Sequence, residues 1–179
     1  VLKQIYNNIE IIFYDDCSSD NSLNLINKYK KKNHIKNLKI IKNLSHGNIA
    51  SFNQIKGIKT ALKKSKGSII CFLDSDDFFK KDKIKKVVNF FSTNKKKNIL
   101  FDKPTFYFNK KKNIKSDMLY LSRNSKWPKF PPTSCMSFRR HILLKVIQLV
   151  SMKKYNHLWL DFRLATFFSI RLNQFNLIE

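Results

Sequence analysis

Residues 9–22 read IEIIFYDDCSSDNS, an apolar run rich in β-forming side chains that stops abruptly at Asp15 and Asp16. A run of that length bounded by turn residues reads as a buried strand. Working outward, the segment from Asp20 sets Leu23, Ile26 and Tyr29 at helical spacing, with Ser19 or Asp20 as N-cap. Residues 38–41 form a second short strand, and residues 49–64 put Phe52, Ile55, Ile58, Ala61 and Leu62 on one helical face that ends before Gly67. Residues 68–73 (SIICFL) repeat the opening pattern: an apolar strand, then Asp74, Asp76 and Asp77. Ile84, Val87, Val88 and Phe91 make the buried stripe of a third helix. The order β-α-β-α-β-α predicts an α/β fold with a mainly parallel central sheet flanked by helices.

Beyond residue 98 the alternation loosens. ILFDKPTFYF, residues 99–108, predicts one or two strands broken at Pro104, because proline is tolerated best at an edge or bend. A turn is expected at residues 110–112, a proline-rich loop at 127–133, a helix over 139–150, and a last helix holding Trp159, Phe162, Leu164 and Phe167. There is no internal repeat and no long linker. One domain over residues 1–179 is expected, with residues 1–98 as one half and 99–179 as the other.

The chain has 179 residues, 42% hydrophobic and 27% charged, a composition that suits a globular core rather than a disordered polyelectrolyte. No apolar run approaches the roughly 20 residues that cross a bilayer, and a cytoplasmic location is expected, with peripheral contact at an anionic membrane face as an option. Lys+Arg is 36 against 12 acids, a formal charge of +24. That excess suits a polyanionic partner, but it travels with abundant Asn, Ile and Phe, as A- and T-rich codons dictate. Readers of bases also favour the bidentate fork of Arg over Lys, so nucleic acid is disfavoured. Cys17, Cys71 and Cys135 are far apart, and the four histidines are scattered, which excludes a zinc cluster of ordinary ligand spacing.

The chemistry therefore rests on acids. Five of the twelve lie in the two clusters that follow apolar strands. Open α/β sheets bind ligands outside the carboxyl ends of their strands, so both clusters face one crevice if those strands are neighbours. Carboxylates about 4 Å apart repel by roughly 4 kcal/mol at an effective dielectric near 20. A hard divalent cation, Mg²⁺ or Mn²⁺, relieves that repulsion and bridges to phosphate oxygens. The plainer alternative is that Asp77 caps the next helix and the other acids are solvated. Calcium loops of the EF-hand type fail, since counting from Asp74 puts Phe79 and Lys85 where Gly and Glu are needed. No Walker A or GxGxxG stretch is present.

The two acidic stretches together resemble the GT-A fold glycosyltransferases of family 2. IEIIFYDDCSSDNS is similar to that family's strand followed by DDGSTDNS, with Cys17 in place of Gly, and GSIICFLDSDD is similar to its GEYIxFLDSDD segment, which carries the DxD motif. NLSHGNIASFNQIKGIKTAL matches the spacing of its NxGxxxARNxGIxxA helix, with Asn53 and Gly57 in place and Phe52 where Arg is typical. The resemblance covers residues 1–91 and, more loosely, the remainder. It implies a nucleotide-diphospho-sugar donor bound by Asp15, Asp16 and Asp74, with Asp16 on the base and Asp74 on the ribose. It implies a Mg²⁺ or Mn²⁺ ion held by Asp76 and Asp77, and inversion at the anomeric carbon. PPTSCMSFRR, residues 131–140, is similar to the segment facing the transferred sugar and a glycan or lipid-linked acceptor. HLWLDFRLATFF puts Asp161 where the family carries its general base, although Leu160 replaces the usual Glu before it. The chain opens at VLKQIYNNIE, inside the family's first helix, so the resemblance implies that the N-terminal β-α unit is missing.

Two other readings stay open. An Asp-based phosphoryl-transfer or receiver-like domain also places acids after strands, although Phe78, after Asp77, stands where its DxDx[TV] pattern needs Thr or Val. A basic module for nucleic acid or anionic membrane would show affinity that falls steeply with salt.

Overall fold

The computed structural model describes residues 1–108, 112–115, 130–155 and 157–178. In chain order these form β1 (Ile11–Asp15), α1 (Ser22–Lys32), β2 (Leu38–Lys42), α2 (Ala50–Lys64), β3 (Ile69–Cys71), α3 (Lys83–Thr93), β4 (Ile99–Asp102), β5 (Thr105–Phe108) and β6 (Lys112–Lys115). There follow a 3₁₀ turn (Thr133–Cys135), β7 (Met136–Arg139), α4 (Arg140–Val150), α5 (Leu160–Thr166), a π-helical turn (Phe167–Arg171) and β8 (Leu177–Ile178). The expected alternation is present, and the break at Pro104 separates β4 from β5. Residues 127–129 of the proline-rich stretch and residues 110 and 111 of the turn expected at 110–112 lie outside the described residues, while Lys112 opens β6.

Among the described residues the strands form three sheets, β1-β2, β3-β7-β4-β8 and β5-β6, and the four-stranded one is mixed rather than mainly parallel. β1 and β2 pair in parallel, with Phe13 opposite Ile40. β3 and β4, which flank α3, do not pair with each other, because β7 runs antiparallel between them. β8 adds a parallel edge to β4, and β5 and β6 form a separate antiparallel hairpin. A β-α-β pattern in sequence does not reveal a later strand that enters between its two members. Among the described residues, no strand pairs with the edge of β1 opposite β2 or with the edge of β3 opposite β7.

The core sits between this sheet and α2, α4 and α5. Ile99, Phe101, Met136, Phe138, Leu143, Leu160, Leu164 and Phe168 are each 0% exposed. Large apolar side chains buried to this degree stabilise the fold by about 1.5–3 kcal/mol each. Phe138 joins the layers, with its ring 5.1 Å from Phe72 and 5.5 Å from Phe168. In the last helix the buried stripe is Leu160, Leu164 and Phe168 rather than one through Trp159, which is exposed. Helical spacing allows either stripe, and the packing surface selects one. α1 buries none of its residues, and Leu25 and Tyr29 are exposed. Its N-cap is Asn21, not Ser19 or Asp20, although Asp20 Oδ1 accepts the Ser22 N–H at 2.9 Å. No helix among the described residues is long and apolar enough to cross a membrane.

Candidate active site

Asp15 ends β1 and is buried, and its Oδ1 has no hydrogen-bond partner among the described residues. Its carbonyl accepts the Asn43 N–H at 2.8 Å, which locks the end of β1 to the residue after β2. Asp16 is half-buried just beyond, and Asn43 Nδ2 donates to its Oδ1 at 2.7 Å. Asn43 also donates to the Ser45 carbonyl at 2.6 Å, while Lys56 of α2 donates to Asn43 Oδ1 at 3.0 Å. Asn43 thus orients Asp16 from behind. Sequence reading missed it, because an Asn directly after Lys42 looks like a surface turn residue until tertiary contacts bury it.

Cys17 follows with φ at 61°, in the left-handed region that costs a side-chain-bearing residue about 1–2 kcal/mol. Its thiol donates to the Asn43 carbonyl at 3.3 Å. A cavity of about 540 Å³ opens beside this turn, lined by Asp16, His46, Gly47, Asn48, Asn53 and Gln54 among others. Asn53 shapes its wall by gripping Gly47 twice, accepting its N–H at 2.9 Å and donating to its carbonyl at 2.8 Å. Gly57 permits α2 to lie on β1: a Cβ there would sit 2.9 Å from the Tyr14 ring.

The second cluster lies beyond β3. Asp74 is half-buried, whereas Asp76 and Asp77 are exposed on a turn closed by the Asp77 N–H donating to the Asp74 carbonyl at 3.2 Å. The N-cap of α3 is Asp82, so Asp77 does not cap that helix. Burial pushes the Asp74 carboxyl above the usual carboxylate range, and the charges of Asp77, Asp76 and Asp161 push it further. A hydrogen bond with Ser134 acts the other way. Asp161 stands in the first turn of α5, where Thr133 Oγ1 donates to its Oδ2 at 3.3 Å and the Phe162 N–H to its Oδ1 at 2.7 Å. The chain therefore brings Asp161 into the electrostatic reach of Asp74 from 87 positions away in the sequence.

The Asp16 cavity and the Asp74 group border the same helix junction. Gln54, which lines the cavity, accepts the Leu160 N–H at 3.3 Å, and Leu160 precedes Asp161. Arg163 fixes that end of α5 from inside, donating to the carbonyls of Leu158 at 2.9 Å, Val150 at 3.0 Å, and Tyr155. Gln4 braces the far side of the acidic turn: its Oε1 accepts the Ile84 N–H at 3.0 Å and its Nε2 donates to the Lys80 carbonyl at 2.8 Å.

Among the described residues no three His, Cys, Asp or Glu side chains form a ready-made metal cage. Mg²⁺ needs no such cage, since it keeps waters and takes one or two carboxylates together with substrate phosphates. The like charges that raise Asp74 and the two exposed carboxylates beside it make a hard oxygen donor set that fits such an ion.

The profile of the family described as Glycosyl transferase family 2 matches residues 1–155. The chain belongs to this family. It is 28% identical over 172 residues to the glycosyltransferase alr2836 of Nostoc sp., a match covering 90% of this chain and 50% of that protein. It is 38% identical over 113 residues to the UDP-Glc:alpha-D-GlcNAc-diphosphoundecaprenol beta-1,3-glucosyltransferase WfaP of Escherichia coli, covering 61% of this chain and 39% of that one. The fold matches the crystal structure of S. aureus TarS 1–349 in complex with UDP, with TM-score 0.67 and 21% identity over 98% of this chain and 50% of that chain. The GT-A architecture expected from the two acidic stretches is thus present. The chain spans half or less of the length of these relatives.

Proposed function

We propose that this chain carries the donor-binding and catalytic half of a glycosyltransferase that moves a sugar from a nucleoside-diphosphate donor to a hydroxyl of a glycan or lipid-linked acceptor in cell-surface polysaccharide synthesis. The single observation that supports this most is the gathering of Asp74, Asp76, Asp77 and Asp161 at one end of β3 in a chain of this family. The names of WfaP and TarS favour a UDP donor as the first to test.

Asp16, held by Asn43, accepts hydrogen bonds from the base, and buried Asp15 supports the same turn by accepting the Asn43 N–H at its carbonyl. Asp74 takes the ribose hydroxyls. Asp76 and Asp77 would hold a Mg²⁺ or Mn²⁺ ion, which supplies charge neutralisation on the diphosphate. Asp161 accepts the proton of the acceptor hydroxyl as its oxygen attacks the anomeric carbon from the face opposite the diphosphate. The bond from that carbon to the phosphate oxygen breaks, its electron pair leaves with the nucleoside diphosphate, and the configuration inverts. Family membership favours sugar transfer over the phosphoryl-transfer and basic-module readings. Incubation with radiolabelled UDP-, GDP-, CDP- and dTDP-sugars and a lipid-diphosphate sugar acceptor tests the proposal. With the label in the sugar, it is expected to pass from one donor to the acceptor in the presence of Mn²⁺; with the label in the donor phosphates, label trapped on the protein without sugar transfer would overturn the proposal in favour of phosphoryl transfer.

A further inference from the structure

Lys83 takes no part in the reaction described above, yet it is a lysine only 8% exposed. It opens α3, and its Nζ donates to Asp102 Oδ1 at the end of β4 (2.7 Å) and to the Ser134 carbonyl in the 3₁₀ turn before β7 (2.6 Å). The Phe79 ring lies beneath it, 4.3 Å from Nζ to the centroid. The turn that Lys83 grips touches both halves of the acidic site. Ser134 Oγ accepts the Asp74 N–H at 2.9 Å, and the neighbouring Thr133 hydroxyl donates to Asp161.

A buried ion pair is a poor device for stability, because well-packed apolar residues of similar volume often do as well or better. It does offer geometry that apolar residues lack. One ammonium, with three donors, reaches a carboxylate on one strand and a carbonyl in another segment at once. We infer that the Lys83–Asp102 pair is a positioning unit. It clamps the Thr133–Ser134 turn, and through the two hydroxyls of that turn it sets the separation between Asp74, on the proposed donor side, and Asp161, the proposed base. The inference rests on the transferase reading for its purpose but not for its geometry. Misplacement of reacting groups by about 1 Å costs roughly a hundredfold in rate, so a clamp of this kind is worth a buried charge.

The test replaces the pair with apolar residues of similar size, Lys83→Met with Asp102→Leu, and separately removes one hydroxyl with Ser134→Ala. Lys86→Met, at the exposed pair with Asp82, serves as the control for loss of a lysine. Melting temperature, amide exchange at Asp74 in the ligand-free protein, and titration with Mn²⁺ plus UDP, GDP, CDP or dTDP are read for each. The double variant is expected to melt close to wild type. Its Asp74 amide should exchange roughly tenfold faster or more, as in Ser134→Ala, and its nucleotide dissociation constant should rise by roughly tenfold. Unchanged Asp74 exchange, or faster exchange with unchanged nucleotide affinity, would overturn the positioning role. If the double variant does not fold, Asp102→Asn, which keeps the side-chain shape and removes the ion pair while leaving the Ser134 hydroxyl in place, decides by the same two readouts. Failure of the wild type to bind any nucleotide would overturn the transferase reading instead, while the exchange comparison still decides whether the pair holds the loop.

Discussion

Three side chains at the site give opposite trade-offs between stability and chemistry. Cys17 holds a left-handed φ of 61°, where Gly is free of strain. Cys17→Gly relieves a penalty of about 1–2 kcal/mol and loses part of that gain through a freer unfolded chain, so a net stabilisation of roughly 0.5–1 kcal/mol is expected. Thermal unfolding would show this as a rise of roughly 1–4 °C. Asp74 is raised by burial and by its acidic neighbours from an ordinary value of 3.8. Its folded form therefore binds a proton more tightly than its unfolded form. The stability tied to that proton is complete below 3.8 and lost as pH rises through the folded value. Asp74→Asn should accordingly raise the melting temperature of the ligand-free protein at neutral pH, flatten the decline of stability above the carboxylate range, and weaken donor binding. A melting temperature that falls at pH 7 would contradict the electrostatic picture. Asp161→Asn should leave donor affinity unchanged and lower kcat by about 10²–10⁴, as loss of a general base does. Pre-steady-state measurement of sugar transfer separates the two quantities.

Elements explain which features were legible before the structure and which were not. The strand-then-aspartate pattern of β1 and β3 is local, since an apolar run ending in acids must finish at solvent or at a ligand, and both strands appear where expected. α2 is also legible, with Ile55 and Leu62 buried as its spacing indicates. β7 was not, because MSFR is only four residues, follows Pro131 and Pro132, and carries Ser137 at 0% exposure, so no alternation marks it. Its insertion between β3 and β4 is a long-range choice that makes the sheet mixed. The supporting shell of Asn43, Lys83, Ser134 and Arg163 was equally hidden, since polar residues buried by tertiary contacts look like surface residues in one dimension. Close packing of α2 on β1 makes its own prediction. Gly57→Ala gains up to about 1 kcal/mol of helix propensity but forces a methyl against the Tyr14 ring, where overpacking costs about 1–3 kcal/mol. A net loss of roughly 1 kcal/mol is expected in urea unfolding, and a stabilised variant would mean that Tyr14 swings aside without cost.

At the scale of the molecule, residues distant in sequence are assembled around one helix junction. The cavity beside Asp16, Gln54 on α2, the start of α5 at Leu160 and Asp161, and the acids from Asp74 to Asp77 follow one another through hydrogen bonds and charge. One elongated ligand with a hydrogen-bonding base at one end and a diphosphate at the other suits that series. The charge of +24 is spread over a lysine-rich chain and adds attraction for any anionic ligand, so salt sensitivity alone does not identify the partner. Calorimetric titration of the wild type, Asp16→Asn and Asp76→Asn with UDP-, GDP-, CDP- and dTDP-sugars, each with and without Mn²⁺, addresses the shared site directly. Binding of one nucleotide sugar that requires Mn²⁺ and weakens by roughly tenfold or more in each variant is the expected result. Binding that ignores the metal, or that responds to only one of the two aspartates, would show that the acidic clusters do not serve a common ligand.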